Sequence, residues 1–144
     1  MLAVTAPAPE HTWPGRRYGL PQTGHGAVAT WPRRALALAV DWVLALLFVG
    51  AFVGSDVWGG GGLTQWAPLA VFAVERWVLT SLSGGSAGQL VCGIRVVRTS
   101  RAAVDPLRVL VRTALICLVL PAVIYNQDRQ GLHDLAVDTV AVLR

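Results

Sequence analysis

The sequence contains no lysine, and only 14% of its 144 residues are charged, against roughly 25% in an average soluble protein. A soluble domain of this size needs a polar shell, and so few charges cannot build one. Cysteine is as scarce: Cys92 and Cys117 form no CxxC and no zinc pattern, so two reduced thiols without a role are expected. Also missing are GxSxG, HExxH and a phosphate-binding loop. The glycines at 59–62 and 84–88 lack the lysine and the strand–helix context of a phosphate cradle. These absences predict a protein that is not an enzyme, with no catalytic residue, no metal and no cofactor. Residues 1–30 hold Pro7, Pro9, Pro14 and Pro21 and no continuous apolar core, so no signal peptide is read there. A disordered cytoplasmic tail is expected instead.

What is present is apolar. The hydrophobic fraction is 54% and the mean hydropathy +0.55, which together indicate a single membrane domain over residues 31–144. The net charge is +4 and the pI about 10.0. All twelve basic residues are arginines flanking apolar segments, so they are read as orienting the chain in a bilayer, and no nucleic-acid partner is expected. The arginine-only, Ala/Val/Leu/Gly-rich composition also points to a GC-rich, bacterial genome.

The strongest segment runs over residues 34–54, apolar or small throughout except for Asp41, with Trp31 and Pro32 just before it. A span needs about 20 residues, and an interfacial aromatic and a helix-starting proline belong at that edge. A second span is predicted over residues 63–82, despite Gln65, Pro68, Glu75 and Arg76. The loop between the two spans has no basic residue. Arg16, Arg17, Arg33 and Arg34 precede the first span, and Arg95, Arg98, Arg101 and Arg108 follow the second. The positive-inside rule therefore puts the N-terminus and residues 83–106 in the cytoplasm of a multi-pass plasma (inner) membrane protein.

A third apolar segment, residues 107–125, includes Arg108, Arg112 and Pro121. Its uninterrupted part, Thr113–Tyr125, is too short for a hydrocarbon core of roughly 30 Å. It reads either as a third span with a snorkelling arginine or as a short re-entrant or interfacial helix. If residues 92–98 pair as a strand with residues 138–143, both lie on one side of the membrane and the segment is re-entrant. The expected fold class is thus all-α and membrane-embedded, with two firm spans, a short third helix and a small cytoplasmic β pair.

Ionisable groups near a bilayer centre cost at least about 2.5–3.5 kcal/mol each and usually pair or face a protein interior. Asp41 lies seven residues after Arg34, two helical turns, so both occupy one face. Arg34 is expected to reach the headgroups. Glu75 and Arg76 lie at the depth of Asp41 on the returning helix, so Asp41 is expected to pair with Arg76, leaving Glu75 for Arg112. Such a cluster either pins helices together or handles a proton or ion. His133 beside Asp134 has no second ligand pair at defined spacing, and is read as structural.

Taken together, these residues resemble the RDD family of bacterial membrane proteins, named for one arginine and two aspartates. RALALAVD matches the family's first motif with Arg34 and Asp41. SAGQLVCGIRVV resembles its central T-x-G-K…G-I-R-V-V motif, with Ser86 for threonine and Gln89 for lysine, and a later family arginine corresponds to Arg112. DRQGLHDLAVDTVAV resembles the C-terminal motif, with Asp128, Arg129, His133, Thr139 and the second signature aspartate at Asp134. The resemblance implies a membrane protein whose molecular role is largely unassigned, with transport proposed and some members described as cation/proton antiporters. Two readings follow. One is proton- or cation-coupled transport, which needs a homo-oligomer or a membrane protein partner to enclose a path. The other is a non-enzymatic assembly or regulatory protein whose arginine-rich cytoplasmic face binds a partner or anionic lipid.

Overall fold

In this computed structural model, residues 13–59, 61–118, 126 and 128–144 are described. Helix α1 spans Trp31–Phe52, α2 Asp56–Gly59, α3 Ala67–Ser83, α4 Ala87–Val91, α5 Pro106–Cys117 and α6 Leu132–Leu135. Strands β1 (Ile94–Arg98) and β2 (Thr139–Leu143) complete the set, with 3₁₀ turns at Arg16–Tyr18 and Leu63–Trp66. Each of the three long helices carries a proline in its first turn, Pro32, Pro68 and Pro106. There the missing N–H costs nothing and the fixed φ favours the helix. Helix α3 stops at Gly84, whose φ of 76° lets its N–H return to the Thr80 carbonyl.

Packing follows a four-residue stripe. On α1 the buried positions are Ala37, Asp41, Ala45 and Val49; on α3 they are Pro68, Phe72, Arg76 and Thr80. The stripes meet antiparallel, since Asp41 contacts Arg76 and Ala45 packs with Phe72 one turn away. Ile116 of α5 joins that apolar cluster. The remaining faces of α1 are apolar and open: Leu47 is 65% exposed and Phe52 77%. With its 22 residues, α1 is the one described helix long and apolar enough to cross a bilayer. Helix α3, at 17 residues, rises about 25 Å.

The strands pair antiparallel with Ile94 opposite Leu143 and Arg98 opposite Thr139. The expected pair of 92–98 with 138–143 is thereby found, trimmed at both edges, because Gly93 (φ 66°) and Asp138 (φ 54°) turn the chain into each strand. One expectation needs correction. Residues 13–30 are not a disordered tail: Val28 bridges Val142, Ala29 N–H donates to the Ala141 carbonyl, and Ala27, Val28 and Ala29 are buried. This third short extended piece gives β2 a partner on its other edge. Residues 87–91, between α3 and β1, form the short helix α4. The predicted third segment is helical over Pro106–Cys117, and its continuation at 119–125, with Pro121, lies outside the described residues.

Candidate functional site: two buried arginine–aspartate clusters

The first cluster centres on Asp41, 1% exposed in the middle of α1. Its Oδ2 accepts from the Arg76 guanidinium and, at 2.6 Å, from the Ser86 hydroxyl; its Oδ1 accepts from the Gly88 N–H. Helix α4 supplies the Gly88 donor because its N-terminal N–H groups have no partner within the helix, and its cap Ser86 supplies the hydroxyl. Ser86 caps α4 while Gln89 Oε1 accepts from the Ser86 N–H, a capping box. The next N–H, of Ala87, donates to Glu75 Oε1 at 2.7 Å. Gly88 is required by the approach: a Cβ there would collide with the Ala37 carbonyl and with Asp41. The guanidinium of Arg76 also sits over the Phe72 ring, 5.4 Å from its centroid.

The second cluster centres on Asp134, fully buried at the start of α6. Its Oδ1 accepts from Arg112 Nε at 2.8 Å and from the Thr139 hydroxyl at 3.2 Å; its Oδ2 pairs with Arg34 at 3.2 Å and lies 3.6 Å from His133 Nε2. Arg34 reaches further, donating to the Ala29 carbonyl at 3.1 Å and the Ala141 carbonyl at 3.1 Å. One side chain thus ties the start of α1 to the entering chain, to β2 and to α6. Burial alone would raise the Asp134 pKa, but the charges of Arg112, His133 and Arg34 hold it down at about 2.

Placement of the remaining motif residues completes the picture. Asp128 accepts from the Gly15 N–H at 3.1 Å and pairs with Arg17 at 2.5 Å, anchoring the N-terminal segment. Arg129 is exposed, in a left-handed conformation at φ 57°. A cavity of about 80 Å³ separates the two clusters, lined by Arg34, Arg76, Gln89, Arg112 and His133 among others.

Of the expected contacts, the structure brings Asp41 to Arg76. It does not bring Glu75 to Arg112. Glu75 turns to the α4 backbone, and Arg112 goes to Asp134. Arg34 meets Asp134 and the Ala29 and Ala141 carbonyls. The single convergence predicted is therefore two clusters. Gly88 is a site residue not anticipated, and Ser86 figures in the sequence only through the family motif, although Ser86-x-x-Gln89 is also a legible capping-box signal. Among the described residues, no group of three His, Cys, Asp or Glu side chains could hold a metal ion, and both cysteines are free.

This is the interior of a membrane protein in which each buried aspartate is neutralised by arginine from another element. The RDD family matches residues 28–138, most of the chain, and the chain belongs to that family. Curated proteins and solved structures give no match. All three signature residues are engaged: Arg34 and Asp134 with each other, Asp41 with Arg76.

Proposed function

We propose that this RDD-family chain is a multi-pass plasma-membrane protein that acts as a non-enzymatic assembly module, with its N-terminus and strand pair in the cytoplasm. The observation that carries this reading is the engagement of Asp41. Three donors from α3 and the α4 region hold both of its oxygens, two on Oδ2 and one on Oδ1, so most of its acceptor capacity is taken up by the protein itself. Its counter-charge is covalently fixed to the next helix, which suits fastening rather than exchange. The arginine distribution supports the orientation. The return of α6 and β2 to Arg34 supports a re-entrant third segment, since α5 leaves and α6 arrives on the same side. The open apolar face of α1 offers surface for lipid, for a second copy or for a membrane protein partner.

A second reading, proton- or cation-coupled transport by an oligomer, is favoured by one feature. Arg76 Nε is buried without a hydrogen bond and borders the 80 Å³ cavity, which gives its guanidinium somewhere to move when a cation takes Asp41. Proteoliposomes loaded with a pH-sensitive dye separate the two. The assembly reading expects wild-type and Asp41→Asn protein to leak Na⁺, K⁺ and H⁺ no faster than empty vesicles. Flux through the wild type that Asp41→Asn abolishes would overturn it and establish transport.

A further inference from the structure

Away from both clusters, a groove of about 680 Å³ runs along β1 between the end of α3 and the N-terminal segment around Tyr18 and Leu20. Its lining includes Arg95, Arg98, Arg101 and Arg144 and no carboxylate side chain. Most arginines elsewhere are matched: Arg17, Arg34, Arg76, Arg108 and Arg112 each meet an aspartate. The four in the groove meet no aspartate or glutamate among the described residues. Arg95 crosses the α carbon of Gly84, Arg101 donates only to the Gly19 carbonyl at 3.4 Å, and Arg98 Nε is buried with no hydrogen-bond partner. Concentrated positive charges with an unfilled buried donor are an incomplete arrangement. The Ser81 and Thr99 hydroxyls nearby already donate to the Trp77 and Asp138 carbonyls, so the donors left for a ligand are the guanidiniums. Planar guanidinium forks match a phosphate ester, whose oxygens accept bidentate hydrogen bonds.

The position indicates how that phosphate arrives. Leu82, at the end of α3 and 79% exposed, lines the same groove. A ligand held there meets arginines at one end and bare hydrocarbon at the other. We infer that the groove binds the phosphate-ester headgroup of an anionic phospholipid, with its acyl chains along the exposed end of α3. This inference rests on the reading that α3 ends at the cytoplasmic membrane surface.

The test uses the full chain in mild detergent, mixed with equimolar phosphatidylglycerol and phosphatidylcholine and examined by native mass spectrometry. The expected result is one retained phosphatidylglycerol in preference to phosphatidylcholine. Arg95→Gln/Arg101→Gln changes two exposed side chains, so the fold is kept, and each loss should weaken retention ~5-fold, about 25-fold together. Arg33→Gln/Arg129→Gln, also exposed and equal in charge, should retain the lipid, and Arg95→Lys/Arg101→Lys should recover part of the loss. Equal retention of both lipids by the wild type and the groove variant overturns the inference. Displacement by glycerol phosphate at concentrations similar to the lipid assigns the groove to a soluble phosphate ester and overturns the lipid source. No lipid of either kind on the wild type would bring down the membrane placement of α3 itself.

Discussion

Asp41 and Arg76 are each almost fully buried, so the pair costs desolvation that only its geometry offsets. Removing one charge leaves the other stranded. Asp41→Asn should lower unfolding free energy in micelles by about 3–5 kcal/mol, while Asp41→Leu combined with Arg76→Met should recover most of it. Thermal unfolding of the single and double variants measures the coupling. Gly88→Ala should be comparably harmful, for a backbone rather than an electrostatic reason, since the Ala37 carbonyl cannot withdraw from a helix. Asp134 behaves differently because its charge state is addressable. Its folded pKa of about 2 lies below the ordinary 3.8, so its contribution is complete above about pH 4 and is lost as pH falls through 2. The difference is worth about 2 kcal/mol. Acid titration of stability should show that loss in the wild type and not in Asp134→Asn.

At the scale of elements, α4 has a role out of proportion to its five residues, because its first turn delivers N–H groups to both Asp41 and Glu75. Ser86→Ala should cost about 1–2 kcal/mol through the lost cap and the lost bond to Asp41, and Ser86→Thr should be nearly neutral. Unfolding midpoints of the two variants give the comparison. What could be read from the sequence follows the same division. Asp41 opposite Arg76 was legible because two apolar helices of known ends fix relative depth. Glu75 was assigned to Arg112 because side chains are visible in a sequence and the Ala87 N–H is not. The Ser86-x-x-Gln89 cap was visible, but the β-branched residues after it drew attention to the strand. The order of residues 27–29 was hidden because three residues carry no period. Arg34 meeting Asp134 depends on how the chain returns after Arg112, which no local pattern encodes.

For the whole molecule, the strand pair and both clusters place the start of α1, the end of α3 and residues 128–144 at one end. Single cysteines at Arg33, Ser100 and Asp138, in a chain with Cys92 and Cys117 replaced by serine, should label from the same side of the membrane. A cysteine at Gly61 should label from the other. Reagent access in intact cells against opened cells checks this, and Asp138 labelling with Gly61 would refute the re-entrant third segment.

The bond between Arg34 and Asp134 joins residues 100 positions apart. During synthesis at about 5–20 residues per second, Arg34 therefore exists for roughly 5–20 s before its aspartate is made. Asp41 waits a shorter time for Arg76, and Arg112 likewise for Asp134. Each charge is made before the partner that neutralises it, and a chain stopped before residue 134 leaves Arg34 and Arg112 without their shared aspartate. Such a fragment should be cleared by membrane proteases faster than the full chain, and a pulse-chase comparison would reveal it. The electrostatic lock thereby doubles as a record of whether translation passed residue 134.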